Sequence, residues 1–247
     1  MTGMNRVLIS LLAALAAAPA VAAPVKLAEP SPAVAVPSNG GEPFAAEVYG
    51  FGKHSATPAQ ADVVLFVGSS SIRLWDVAQS FPTLHPINRG FGGATVGDVL
   101  FHYDRVVAGV KPSSVIVYVG ENDVAIGEPV DRVAATVLKL LGRLRADMPQ
   151  ARIAYLSMKP TPQRWELYPR MAEINAAVRA KAGREFDYLD VGGALLSPSG
   201  LPDEDYFTDD GLHMNARGYS VWNAIVDRWL KPEAPAQKVA DRGGATS

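Results

Sequence analysis

Val63-Val64-Leu65-Phe66-Val67-Gly68-Ser69-Ser70-Ser71-Ile72-Arg73-Leu74-Trp75 is the stretch that decides the fold. An unbroken apolar run stops at Gly68, three hydroxyls follow, and apolar residues then resume with helical spacing, which predicts a strand, a tight turn and a helix start. Glycine takes backbone angles closed to other residues. A serine in the first helical turn sits beside unpaired backbone N–H groups and the positive end of the helix dipole. Such a serine fits either a helix cap or a site where negative charge develops, and this segment alone does not choose between them.

Working outward, short β-rich runs alternate with segments of helical period. Strands are expected at Asp62 to Val67, Pro86 to Arg89, Ser114 to Val119, Arg152 to Ser157 and Phe186 to Val191. Between and after them, Val130, Val133, Ala134, Val137, Leu138, Leu141 and Leu144 mark one amphipathic helix, and Val221, Trp222, Ile225, Val226 and Trp229 another. Apolar strands alternating with helices imply a parallel sheet covered on both faces, an α/β three-layer α/β/α sandwich of flavodoxin-like kind with five strands. In such a sheet the site lies at the carboxyl ends of the strands. The loops after Val67, Arg89, Val119, Ser157 and Val191 are therefore the ones that meet.

Those loops carry suggestive residues. The second holds Asn88-Arg89-Gly90-Phe91-Gly92-Gly93-Ala94-Thr95, whose glycines leave backbone N–H groups open. It lacks the third small residue of a dinucleotide fingerprint, because Thr95 stands there, and it lacks the Lys-Ser/Thr pair of a P-loop. Nucleotide binding is not expected. After the third strand comes Gly120-Glu121-Asn122-Asp123. It reads as a capped turn or as a turn that aims the Asn122 amide into a site. Near the end, Asp210-Gly211-Leu212-His213 precedes the last helix. A carboxylate three residues before a histidine either forms a surface turn or orients the imidazole, leaving the other ring nitrogen to accept a proton. His54, His85 and His102 have no such partner at a strand-end loop.

Composition sets the frame. With 247 residues, 48% hydrophobic and 19% charged, the chain suits one sizeable domain. The formal net charge of −2 and the lack of a basic stripe give no sign of a nucleic-acid partner. There is no cysteine, which excludes thiol catalysis and disulfides. Residues 1–22 read as a signal peptide: Arg6, an apolar run from Val7 to Ala18, Pro19, then Ala20-Val21-Ala22, with cleavage expected after Ala22 because Pro24 disfavours a later cut. The run is shorter than a membrane span, and no later run reaches that length. Residues 23–43 hold Pro24, Pro30, Pro32, Pro37 and Pro43 and are expected to be a linker, residues 44–231 the folded domain, and 232–247 a polar tail. The expected location is periplasmic or extracellular.

The four loop signals, in this order on one face of one sheet, resemble the blocks of the SGNH hydrolase superfamily, the GDSL-type lipases and esterases. The resemblance covers roughly residues 62 to 230. Within the superfamily, the Gly68-Ser69-Ser70-Ser71-Ile72-Arg73-Leu74-Trp75 and Asn88-Arg89-Gly90-Phe91-Gly92-Gly93 stretches are similar to the bacterial branch related to platelet-activating-factor acetylhydrolase subunits. It implies Ser70 as nucleophile and His213 as its base. Asp210 would orient His213, and the Ser70 amide, the Gly93 amide and the Asn122 side chain would donate to the oxyanion. The usual Gly-Asp-Ser reads Gly68-Ser69-Ser70 here, so register places the nucleophile at Ser70 with Ser69 as the neighbour to exclude. Ile72 stands where a G-x-S-x-G nucleophile elbow requires glycine, which disfavours the α/β-hydrolase fold.

This chemistry requires no cofactor and no metal, and no H-E-x-x-H or His-rich cluster is present. The loop Lys159-Pro160-Thr161-Pro162-Gln163-Arg164-Trp165 follows the fourth strand. It is either a rigid Pro-punctuated connection or, through Lys159, Arg164 and Trp165, a contact for an anionic or sugar group, to which Arg73 and Arg89 would add if they face the pocket. Trp75 at its helical spacing reads as core. With no long apolar lid, the expected function is an exported serine esterase for short acyl groups, acetyl foremost. A polysaccharide or cell-wall O-acetyl esterase or acyltransferase shares every catalytic residue, and a non-catalytic glycan- or envelope-binding protein shares the fold.

Overall fold

A computed structural model describes residues 44–51 and 62–231. The expected signal peptide, linker and polar tail lie outside the described residues. The elements run α1 (Ala45–Val48), β1 (Val63–Gly68), α2 (Ser70–Arg73), α3 (Val77–Ser80), β2 (His85–Gly90), α4 (Val96–Phe101), α5 (Tyr103–Val106), β3 (Ser114–Tyr118), α6 (Glu121–Ala125), α7 (Val130–Asp147), β4 (Arg152–Leu156), α8 (Tyr168–Arg179), β5 (Asp187–Leu189) and α9 (Ala216–Leu230). All strand pairs are parallel, in the order β2-β1-β3-β4-β5.

The alternation of side chains along each strand divides the core in two. Val63, Leu65 and Val67 of β1, Val115 and Val117 of β3, and Ile153 and Tyr155 of β4 face one way. They pack with Val96 and Val99 of α4, Val133, Val137, Leu140, Leu141 and Leu144 of α7, and Ile174 and Val178 of α8. The alternate residues Val64, Phe66, Ile116, Tyr118, Ala154 and Leu156 face the other way, toward Ile72, Trp75, Val77, Trp222 and Val226. Both faces are apolar, as the unbroken runs predict, and the three-layer sandwich follows. Trp75 is core: it lies edge-on to Phe66 and Trp222, and its indole N–H donates to Asn223 at 2.8 Å.

The last strand is shorter than the apolar run that predicts it. Past Leu189 the Val191 and Gly192 amides turn to the Ser157 hydroxyl, at 3.0 and 2.8 Å, and leave the ladder.

The end of β1 is the tightest place in the fold. Gly68 pairs with Gly90 on one side and Tyr118 on the other. Its φ is 151°, and a Cβ placed on it would stand 1.8 Å from the Tyr118 carbonyl oxygen. The chain turns here because no side chain intervenes: the Ser69 amide donates to that same carbonyl at 3.1 Å, and Phe91 donates back to Gly68 at 3.1 Å. Asn88 then closes α2 from below, its amide donating to the Ile72 and Trp75 carbonyls at 2.7 and 3.1 Å. Gly68→Ala is expected to prevent folding or to lower the thermal midpoint by about 10 °C, since both strain and a backbone clash must be relieved. Calorimetry of the purified variant checks this, and a midpoint within a degree or two of the parent would contradict it.

Candidate active site

Ser70 is the first residue of α2 and follows Ser69 in extended conformation. Ser69 is buried, and its side chain makes no capping hydrogen bond. The helix cap is therefore backbone only, and the Ser70 hydroxyl is left for other work. Its Oγ lies 3.0 Å from Nε2 of His213, 143 residues away in sequence. The other ring nitrogen, Nδ1, lies 2.6 Å from Oδ2 of Asp210.

The loop that carries this pair holds itself in place. Oδ1 of Asp210 accepts from the Leu212 amide at 2.8 Å, the His213 amide at 2.9 Å and the Thr208 hydroxyl at 2.8 Å. Partial burial pushes the Asp210 carboxyl up, but the bonds from the His213 ring, the two amides and the Thr208 hydroxyl outweigh it and hold the group well below the usual carboxylate range. An ionised carboxylate only accepts, so in the neutral ring Nδ1 of His213 carries the proton and Nε2 presents its lone pair. The Ser70 hydroxyl therefore faces an acceptor.

The glycine-rich loop and the Asn122 turn are bound to one another. The Asn122 amide nitrogen donates to the Ala94 carbonyl at 2.9 Å, and the Val96 amide donates to both oxygens of Asp123 at 3.0 and 3.1 Å. Thr95 and Asp98 form a capping box that starts α4 directly after the loop. On its outer side the Gly92 amide donates to Glu47 of α1 at 3.0 Å, and Phe44 packs edge-on against Phe91 at 5.2 Å. Gly93 then sits exposed in left-handed conformation, φ 74°. Neither its amide nor that of Ser70 donates to another described residue. One proton of the Asn122 NH₂ group is also left over, since its described bond uses only one.

The site floor is a buried charge cluster. Glu121, 4% exposed, receives the Lys159 ammonium at 2.8 Å, Nη1 of Arg164 at 3.2 Å and the Tyr118 hydroxyl. Burial pushes the Glu121 carboxyl up, but Lys159 and Arg164 more than offset this and keep it below its ordinary value. Lys159 also reaches the Ser71 hydroxyl at 3.2 Å, directly beneath the helix that carries Ser70.

Two of the expected substrate contacts are thereby corrected. Lys159 is 1% exposed, with its ammonium spent on Glu121, Tyr118 and Ser71, so it offers no charge to a ligand. Arg89 is equally buried: its guanidinium donates to the Phe51 carbonyl and lies 5.0 Å over the Phe51 ring. As a β2 residue just before the loop, its side chain packs against Phe51, in the segment that follows α1. Arg73 is half-exposed, beside Gly92 and 3.5 Å from Glu47. Trp165 is half-buried and stacked on Tyr168 at 5.3 Å. The loop that holds Arg164 and Trp165 reaches the Asp210 segment through the Gln163 amide, which donates to Gly211 at 3.0 Å. His85 also has a carboxylate partner, Asp62 at 2.6 Å, but at the starting edge of the sheet, far from this arrangement in the fold. Glu121, Tyr118, Thr208 and Glu47 are the site's supporting residues that sequence reading did not single out. Only their contacts in the folded chain reveal them, although the charged Glu121 inside an apolar strand-end segment is a sequence trace of the first.

A hydroxyl facing a carboxylate-oriented imidazole, with open amides alongside, can attack an acyl carbon and hold the oxygen that becomes negative. Comparisons with known proteins give the family and the fold. The sequence model of the GDSL-like Lipase/Acylhydrolase family matches residues 68–221, which span Ser70, Gly93, Asn122, Asp210 and His213. Among solved structures, a protein from Streptococcus pneumonia provisionally assigned as a platelet activating factor superposes with a TM-score of 0.67 at 21% identity, over 76% of this chain and 91% of that one. A GDSL-like lipase from Bacteroides thetaiotaomicron gives 0.61 at 19% identity, over 76% and 95%. A variant of an acetyl-xylooligosaccharide esterase from Geobacillus gives 0.55 at 19% identity, over 70% and 95%. These structures share the fold. A comparison with curated proteins finds no match. With more than half of its length, and every residue of this arrangement, inside the matched region, the chain belongs to the GDSL-like lipase/acylhydrolase family, whose members hydrolyse esters.

Proposed function

We propose that the protein is an exported serine esterase that cleaves short-chain acyl esters, acetyl foremost, through an acyl-serine intermediate. The observation that carries this reading is the chain of two hydrogen bonds from Ser70 through His213 to Asp210, at 3.0 and 2.6 Å. His213 Nε2 takes the Ser70 proton as Oγ attacks the acyl carbon. Asp210 fixes the ring tautomer and stabilises the imidazolium. The Ser70 and Gly93 amides and the Asn122 NH₂ receive the oxyanion, each such donor being worth about 3 kcal/mol in comparable sites. The imidazolium then returns its proton to the leaving alkoxide. Water, deprotonated by the same nitrogen, releases the acid and frees Ser70.

Short acyl groups are favoured by the surroundings. The Asp210 and His213 side chains reach solvent, and the segment beside them, Lys159 to Trp165, is Pro-punctuated and polar. The signal peptide expected over residues 1–22 supports export. A glycan O-acetyl ester is the second reading. It is favoured by the half-buried Trp165 on the loop bordering the site, and by the fold shared with an acetyl-xylooligosaccharide esterase. Acetate release from a panel of acetylated glycans set against simple esters distinguishes the two readings.

Ser70→Ala and His213→Ala are expected to lower ester turnover by at least about a thousandfold with unchanged folding, and Ser70→Ala to abolish labelling by a fluorophosphonate. Asn122→Ala is expected to lower kcat about a hundredfold. Near-normal turnover in the Ser70 variant, or labelling at Ser69, would overturn the assignment, and a wild-type protein that neither turns over nor labels would point to a non-catalytic binding role. Across nitrophenyl esters, kcat/KM is expected to fall from acetate to octanoate. The reverse order would overturn the short-chain reading.

A further inference from the structure

An asparagine can serve an oxyanion only with its nitrogen facing the reacting oxygen. Its side-chain amide is nearly symmetric in shape, and rotation by half a turn would present an oxygen instead. A free Asn122 would sample both orientations, and one of them would repel the charge that the reaction creates.

The structure removes that freedom from both ends. Oδ1 of Asn122 accepts from Nη1 of Arg164 at 3.1 Å, and Nδ2 donates to the Ala94 carbonyl at 2.9 Å. Arginine only donates and a carbonyl only accepts. A flipped amide would therefore set NH₂ against guanidinium and oxygen against oxygen, two repulsive contacts in place of two hydrogen bonds. Arg164 is itself fixed: the same Nη1 lies 3.2 Å from Oε1 of Glu121, and the Arg164 side chain is only 19% exposed. Glu121 in turn is pinned through its second oxygen by the buried Lys159 and by Tyr118. The Arg164 amide donates to Thr161, backbone and hydroxyl, at 3.2 Å each, which holds the loop at this height.

We infer that Arg164 is a positioning residue of the oxyanion hole, anchored on the buried Glu121–Lys159 pair. It locks the Asn122 amide with its free N–H toward the reacting oxygen and places a delocalised positive charge one hydrogen bond behind it. A cation on the amide oxygen polarises the N–H and makes it the stronger donor. Arg164 thus acts through Asn122 and touches no substrate. The inference rests on the esterase reading and gives the loop after β4 a part in catalysis in place of ligand contact.

Kinetics of a double-mutant cycle on a neutral ester, nitrophenyl acetate, test it. Arg164→Met is expected to lower kcat by about tenfold or more with KM within about twofold, because the lost interaction belongs to the transition state. In an Asn122→Ala background the same substitution is expected to cost less than about twofold, since the amide through which it acts is gone. Should Arg164→Met fail to fold, the cycle is run with Arg164→Lys. That variant keeps a cation opposite Glu121, but its shorter, unbranched side chain ends short of the position of Nη1, from which both acceptors are served, and the same non-additivity is expected. A loss confined to KM, an unchanged kcat, or full additivity with Asn122→Ala would each overturn the inference while leaving the esterase intact. A wild-type protein without turnover or fluorophosphonate labelling would overturn the esterase reading, and this inference with it.

Discussion

The contact between Ser70 Oγ and His213 Nε2 joins the first strand-end loop of the chain to the last. It forms only if β1 occupies an inner position of the sheet and the segment before α9 returns across that sheet's carboxyl edge. The strand order β2-β1-β3-β4-β5 meets the first condition, and the Ser70–His213 contact itself shows the second. Everything close to the contact is arranged around the lack of a side chain at Gly68. Because β1 ends against the Tyr118 carbonyl, α2 starts immediately, and Ser70 stands in its first turn with no capping duty. Tyr219 of α9 donates its hydroxyl to the Ser71 carbonyl at 2.9 Å, so the helix that follows His213 also supports the helix that begins at Ser70.

Beneath this contact lies an unusual amount of buried charge. Glu121, Lys159 and Tyr118 are closed off from water, and burying an ion pair tends to cost about as much as it returns unless its geometry is good. Stability alone gives a weak reason for such a cluster. Geometry gives a stronger one: the carboxylate holds Arg164, Arg164 holds Asn122, and the ammonium props the α2 turn at Ser71. A buried polar network whose members are all hydrogen-bonded to one another specifies one arrangement of its side chains. Asn122 is thus held by a network rooted in the buried Glu121–Lys159 pair.

The five strands, their parallel arrangement and the order of the loops were legible in the sequence, because runs such as Val63 to Val67 and Ser114 to Val119 leave little choice of structure. Ser70, Asp210 and His213 were legible as candidates, and the structure joins them by hydrogen bonds; Gly93 and Asn122 were named with them and lie in loops at the same carboxyl edge of the sheet. The short helices were less so. α3, α4, α5 and α6 have four to six residues each, too few for a periodic signal, and they are set by local caps such as Asp76 on Gln79 and Thr95 with Asp98. Lys159 and Arg89 misled for a different reason. A charged residue beside a proposed site reads as a ligand contact, and only the depth of burial, with Glu121 against Lys159 and Phe51 against Arg89, shows that neither side chain is open to a ligand. Glu121 was visible as a letter in Gly120-Glu121-Asn122-Asp123, but its role depends on partners 38 and 43 residues away, which no local pattern encodes.

The most direct measurement is a crystal structure of the protein after reaction with a small phosphonate, whose phosphoryl oxygen stands in for the oxyanion of the tetrahedral intermediate. The account predicts phosphorus bonded to Ser70 Oγ and that oxygen within about 3.2 Å of the Ser70 amide, the Gly93 amide and Nδ2 of Asn122. His213 would remain seated on Asp210. An adduct on Ser69 or Ser71, or an oxygen turned to solvent away from Gly93 and Asn122, would contradict it.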